Sequence, residues 1–572
     1  MRISLLPVTL LALLTAAAHV RGAGSQPQRT SSTPAPGPEP DAVSRLVDRI
    51  TARENELVKN LRNYRPRVET YIQDFRPDQE LGDVPTNDHY FLGRLDFEGS
   101  IDDRSFLPER HRGRRVLSDI ANQVTRLYSL QYQSRAFAYT IVMDTGRFDR
   151  QHYRFDFVRR DFLGDVRCLV FDVTPQPGSG TGLFEGRIWV EDQDDQIVRF
   201  NGTYASHSKF TYYFHFDSWR ANLQPGLWLP VYVYSEESDL KYAFVRTLRF
   251  KSQTRLWGYD LTSSARQQEL TRILVDAPAS VQDASGAGGS LSPVASQRQM
   301  ETEAENNVLD RLEKAGLLAP AGKVDQVLET VVNNLEVTNH LENLPTVHCR
   351  VLLTAPLEST TIGGAIVLSR GLLDVLPDEA SLAMMLAHEL AHILLGHNLD
   401  LLDTKYAFSD RMLIPDEELL SRLSFKRDQR EEEDADRKAL ELLINSPYKE
   451  KLPSAGLFLK ALSAEAPRTP NLLGAHLGTR LLEASRMPRM AELMSGAPDL
   501  RPSRLDQIAA LPLGARVVID SWSDQVTLAK TGDLALASPR EKKPFEITPL
   551  YPYLVRLGDP KHDVSLNLPQ SN

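Results

Sequence analysis

The stretch LAHELAHILLGH (386–397) sets three imidazoles and a carboxylate inside an apolar run. The preceding residues open a helix: Pro377 suits a first turn, and Asp378 and Glu379 complement the positive helix end. Gly396 is a natural stop. On such a helix His388 and His392 stand four apart and project from one face, a separation that suits one zinc ion. Glu389 falls about 100° round the axis. It can touch a metal-bound water without being a ligand, which is where a general base belongs. The plainer reading is a buried helix with satisfied histidines. That reading has to bury two His and one Glu among Met384, Met385, Leu386, Ile393 and Leu394, at a cost if they lack partners.

A third ligand decides between the two. A metzincin continuation needs Gly and His three and six residues after the second His, where this chain has Leu395 and Asn398. The other route is a Glu on a later helix, and QREEEDADRKALELL (429–443) supplies one. There Glu432, Asp436, Ala439 and Leu443 share a face, and small Ala435 beside them permits close approach. Glu432 can close a site for one Zn2+ per chain. Asp436, one turn on, can accept the free ring N–H of a zinc-bound His. Glu431 and Glu433 read as solvated charge.

With both motifs in hand, SRGLLDVLPDEASLAMMLAHELAHILLGH followed by EEDADRKA resembles family forty-eight of the metallopeptidases over about residues 301–500. The family pattern is a Gly-Leu-Leu strand end, a His-Glu-x-x-His helix ending in Gly-His, and a Glu-x-x-Ala-Asp helix. Its parts match Gly371 to Leu373, His388 to His397, and Glu432 to Asp436. The resemblance implies a zinc metalloendopeptidase with zinc on His388, His392 and Glu432, Glu389 catalytic and Asp436 behind the ligands. It also implies protein or peptide substrates. Support near the site is expected from His397, His476 and Arg480. The chain departs from the pattern in two places. ESTTIGGAIVLS (358–369) lacks the family's Asn-Ala-Phe, and GAHLGTRLL lacks the Pro after His476 and has shorter spacing to Arg480. Substrate is expected to pair with an edge strand at Gly363, Gly364, Ala365 and Ile366, where two glycines let another backbone come close.

At 572 residues the chain is too long for one core. Its net charge of −10 with no basic block argues against nucleic acid as a partner. Residues 1–23 read as an export signal: Arg2, an apolar run from Leu5 to Leu14, and small residues before a cut after Ala18 or Ala23. No Cys lies near that site, and no later run is of spanning length, so an exported periplasmic or secreted protein without a transmembrane span is expected. Residues 24–41 are a Pro/Ser-rich linker, and 276–300 are Gly/Ser-rich.

Between the linkers, 42–275 opens with an amphipathic helix carrying Val43, Leu46, Val47, Ile50, Leu57, Val58 and Leu61, with a second helix at 116–127. The period then changes to two over about eight strands, from AFAYTIVMD (136–144) to YAFVRTLRFK (242–251), which predicts an antiparallel, half-barrel-like sheet. GRIWVEDQDDQIVRFNG with PGLWLPVYVY resembles the sheet of lipoprotein-sorting proteins, which implies a lipid or envelope-protein ligand. The alternative is that Trp189, Phe214, Phe216 and Trp228 fill a sheet core. Residues 301–500 read as a mainly helical zincin-type domain with a small sheet, and 501–572 return to strand patterning. The fold class is therefore α+β and multidomain. Cys168 and Cys349 fall in different regions; they can pair or remain buried thiols. A second function class stands beside the peptidase, a low-turnover zinc-binding quality-control or chaperone-like protein.

Overall fold

The computed structural model describes residues 40–78, 82–95, 101–102, 140–144, 146–180, 183–205, 215–242, 246–259, 261, 306, 308–341, 346–397, 427–473, 477, 481, 489–500, 517–520 and 525–528. The expected signal at 1–23, the expected linkers at 24–41 (apart from 40–41) and 276–300, and the helix expected at 116–127 lie outside them. Two compact units divide the chain, 1–44 and 45–572. The second carries everything that follows except the first residues of α1, 40–44.

The amphipathic pattern near the start is α1 (Pro40–Leu61). Val47, Ile50, Leu57 and Leu61 are buried along it, each contributing roughly 1.5–3 kcal/mol of transfer free energy before chain entropy is subtracted. The same face carries a charge: Glu54 takes two hydrogen bonds from Arg220, at 2.6 and 2.7 Å, with both side chains fully buried.

Ten strands form one antiparallel sheet among the described residues: β1 (Arg67–Asp78), β2 (Gly82–Leu95), β3 (Ile101–Asp102), β4 (Tyr153–Leu163), β5 (Val166–Pro175), β6 (Leu183–Glu191), β7 (Ile197–Ala205), β8 (His215–Gln224), β9 (Leu227–Tyr242) and β10 (Arg246–Trp257). Their order is β3-β2-β1-β10-β9-β8-β7-β6-β5-β4. Neighbours are consecutive in sequence except β1 and β10, which pair Arg67 with Trp257 through Asp74 with Phe250. The expected antiparallel β-rich region is this sheet, with two differences in detail. Thr140–Asp144, expected as the end of a strand, is a turn: Asp144 Oδ1 accepts the amides of Gly146 and Arg147 at 3.0 Å, the local bonding by which Asp leaves a strand ladder. Conversely, β1 and β2 had no strand expectation, because buried Glu69, Thr70, Gln73 and Asp88 break the apolar alternation.

The side chains of β8 divide between two faces, across a register shift at Trp219 and Arg220. Trp219 and Asp217 face one way, with Arg199 held bidentate by Asp217 and lying 4.2 and 4.4 Å over the rings of Trp189 and Trp219. Phe216 and Arg220 face the other, Phe216 against Phe184 and Phe200. Trp189, Phe216 and Trp228 are thus buried in the protein's own core; Phe214 lies outside the described residues. On the side of Trp189 and Trp228 the core is continuous, running from Tyr71, Trp189, Trp228 and Trp257 of the sheet to Leu312, Met384 and Leu390 of the helical region.

The helical region contains a stretch at 308–314, then α2 (Lys323–Thr338), α3 (Arg370–Val375), α4 (Glu379–Leu395), α5 (Gln429–Ile444), α6 (Leu452–Glu465) and α7 (Ala491–Gly496). A small sheet of order β11-β13-β12 lies beside α4, formed by β11 (His348–Leu352), β12 (Ser359–Ile362) and β13 (Ala365–Ser369). β14 (Val517–Asp520) and β15 (Gln525–Leu528) pair antiparallel. Cys168 and Cys349 are free and buried, and burial pushes the Cys349 thiol up, nearby acids adding to it. No helix among the described residues is long and apolar enough to cross a membrane.

Candidate metal centre and general base

The site is built on α4. Asp378 caps it, its carboxylate accepting Ser381 N at 2.8 Å, and Ser454 of α6 donates to the other oxygen at 2.6 Å. Gly396 ends it in the left-handed region at φ +68°, where a side chain is strained. Every residue from Ala380 to His392 except Leu382 is buried, so α4 is covered on all sides. Its small residues Ala387 and Ala391, with Ala435 and Ala439 on α5, let the two helices pack closely.

α5 starts at the cap Asp428, which accepts Arg430 N at 2.8 Å. Its buried positions Glu432, Ala435, Asp436, Ala439, Leu442 and Leu443 follow the three-and-four spacing of one face. That face is turned to α4. His388 Nε2 lies 3.1 Å from His392 Nε2 and 3.4 Å from Glu432 Oε2, and His392 Nε2 lies 3.6 Å from Glu432 Oε1. All three ligand atoms fall within 4.8 Å of one another.

The tetrahedral edge for zinc–nitrogen bonds of about 2.05 Å is about 3.4 Å, so these separations fit. The far nitrogens of the two rings have partners that suit the same ligand set. Asp436 Oδ1 lies 2.9 Å from His388 Nδ1, and His397 Nδ1 lies 3.1 Å from His392 Nδ1. Protons on those two Nδ1 atoms would leave both Nε2 lone pairs facing each other and a carboxylate in a buried site. Such a pocket is costly unless a cation fills it.

Residues 359–414 match the model of Peptidase family M48. The matched segment carries β12, β13, α3 and α4, with His388, Glu389 and His392; Glu432 and Asp436 lie beyond it. Over this segment the chain resembles a zinc metallopeptidase of family M48. No curated protein matches the chain.

Around α4 the structure adds residues that sequence reading had not singled out. Ser359 Oγ donates to Glu389 Oε1 at 2.8 Å, with both side chains buried. Arg489, just before α7, is fully buried and places Nη2 3.9 Å from Glu389 Oε1 and Nη1 3.7 Å from Glu432 Oε2. The next residue donates its amide, Met490 N, to Asp436 Oδ2 at 2.8 Å, so Asp436 is held between α7 and His388. Arg427 Nη1 donates to the His397 carbonyl at 2.6 Å, and its Nη2 to the carbonyl and Oγ1 of Thr361. Burial pulls the Arg427 pKa down, while the charges of Glu389, Glu432 and Glu431 oppose that.

None of these contacts has a short-range sequence signal. Ser359 stands 30 residues before its partner, and Arg427 sits inside what reads as a charge run. His476 and Arg480 lie outside the described residues.

The expected substrate strand requires a correction. Ala365 and Ile366 belong to β13, the central strand, whose partners are β11 on one side and β12 on the other. Both of its edges are occupied. Gly363 and Gly364 form the two-residue turn that joins β12 to β13, Gly363 at φ +60°. The glycine pair makes a hairpin rather than an approach for a second backbone. The outer strands of this sheet are β11, which Leu318 bridges at Leu352, and β12, which lies against α4.

Proposed function

We propose that this chain is a zinc-dependent endopeptidase that hydrolyses peptide bonds of protein substrates in the cell envelope, with Glu389 as general base. The observation that carries the reading is the closed cluster of His388, His392 and Glu432 with a buried carboxylate one residue along the same helix. The amino-terminal export pattern supports the envelope as its compartment.

His388, His392 and Glu432 would hold the zinc, which when bound lowers the pKa of a water and polarises a carbonyl. Asp436 and His397 keep the two imidazoles in the tautomer that presents Nε2. Ser359 fixes one oxygen of Glu389. The carboxylate takes a proton from the attacking water and delivers it to the amine nitrogen as the C–N bond breaks. Arg489 lies near enough to both acids to balance their charge.

An extended substrate would pair with β12, the outer strand that lies against α4. Its Thr361 carbonyl is engaged by Arg427, so productive pairing requires that guanidinium to give way.

The test is Glu389→Gln on an unfolded protein substrate, with zinc content measured alongside. The variant should keep its zinc and lose hydrolysis by about 10²–10⁴-fold, the span for loss of a general base. Cleavage at the wild-type rate would remove the peptidase reading and leave the zinc-binding quality-control protein.

A further inference from the structure

We infer that Asp88, a carboxylate of the ten-stranded sheet, is a positioning residue for Glu389, acting through the strand that carries Ser359. The inference rests on the reading of Glu389 as the base.

Asp88 lies on β2, 1% exposed. It accepts Asn471 N at 3.1 Å on both oxygens, Asn471 Nδ2 at 3.0 Å, Leu472 N at 2.7 Å and the Tyr71 hydroxyl at 3.1 Å. A carboxylate buried so deeply is costly unless its hydrogen bonds are made, so these contacts fix Asn471 and Leu472 against the sheet. Leu472 passes the constraint on. Its carbonyl accepts Leu357 N at 2.6 Å, and Leu357 forms a parallel bridge with Leu473. Two residues later β12 begins with Ser359, whose hydroxyl holds Glu389 Oε1.

A second sheet carboxylate secures the same segment from its other end. Glu69 on β1 accepts Ala355 N at 2.7 Å. The run from Ala355 to Ser359 is therefore anchored to the sheet twice within three residues, directly at Ala355 and through Leu472 at Leu357. The position of the Ser359 hydroxyl, and with it the orientation of the base, is set by a part of the chain more than 250 residues away in sequence, Glu69 and Ala355 being 286 residues apart. The large sheet is thus part of the catalytic framework.

The experiment is a double-mutant cycle in the full chain, combining Asp88→Ala with Ser359→Ala, with turnover normalised to zinc content. Misplacing a reacting group by about 1 Å can cost on the order of 10²-fold, so Asp88→Ala should lower kcat by about 10- to 100-fold with zinc stoichiometry retained. In the Ser359→Ala background the same change should cost no more than about threefold, because the route to Glu389 is already cut. A purely structural role would instead give losses that multiply.

Amide hydrogen exchange supplies a readout independent of activity. Residues 357–362 should exchange faster in Asp88→Ala than in wild type, with α4 unchanged. Multiplying losses, or wild-type exchange at 357–362, would overturn the inference. Asp88→Asn keeps one accepting oxygen and is the variant to use if the alanine protein does not fold; it should show the same changes in smaller measure. Absence of turnover in the wild type would count against the peptidase reading, while the exchange data would still decide whether Asp88 holds the strand.

Discussion

Asp436→Asn is a one-atom change at a residue held from two sides. In the wild type Oδ1 lies 2.9 Å from His388 Nδ1, and Oδ2 accepts Met490 N at 2.8 Å. Both of those groups are N–H donors when His388 presents Nε2 to a metal. An asparagine offers one accepting oxygen and one NH2, so whichever way it turns, one N–H meets another donor. A hydrogen bond to a charged group is worth about 1.5–3 kcal/mol. Loss of the outer partner of a metal-binding His typically costs 10- to 100-fold in affinity, which is about 1.4–2.7 kcal/mol. The two figures agree in size. Zinc affinity should therefore fall by about 10- to 100-fold, with full loading still reached when zinc is in excess. Competition against a chromophoric chelator at fixed pH measures this directly. An affinity within about twofold of wild type would refute the claim that Asp436 orients His388.

Two further outcomes follow from the fold. Glu54→Ala leaves the Arg220 guanidinium buried and uncompensated, so α1 should detach at a cost of about 3–5 kcal/mol, read as accelerated amide exchange along α1; replacing both partners with apolar residues should be neutral or stabilising. Asp325, in the first turn of α2, has its pKa raised by burial from 3.8 to about 6. Its protonated form is thus favoured by the fold, and that contribution is complete below pH 3.8 and lost as pH rises through about 6. Asp325→Asn does not titrate, so its stability relative to wild type should climb by up to about 3 kcal/mol between pH 4 and pH 7. Denaturation profiles at several pH values test the sign.

What could be read in the sequence was whatever repeats within a turn or two. His388 and His392 at four-residue spacing, and Glu432, Ala435, Asp436 and Ala439 on one face, were legible because helix geometry converts spacing into placement. The antiparallel sheet was legible where apolar and polar residues alternate. It was illegible in β1 and β2, where Glu69, Gln73 and Asp88 are polar yet buried; Glu69 and Asp88 make their bonds to segments far away in sequence, and Gln73 bonds the Tyr71 hydroxyl. The pair Gly363-Gly364 carried two meanings, close backbone approach or tight turn, and only the pairing of Ile362 with Ala365 separates them. Ser359, Arg427 and Arg489 are brought to the site by packing alone, and no local pattern marks them.

The central claim is a single zinc held by His388, His392 and Glu432, and the measurement that tests it most directly is metal content by elemental analysis of the purified chain and of Glu432→Ala. One zinc per wild-type chain and a substoichiometric amount in the variant are expected. One zinc per chain in both proteins, or none in the wild type after purification with zinc present, would contradict it.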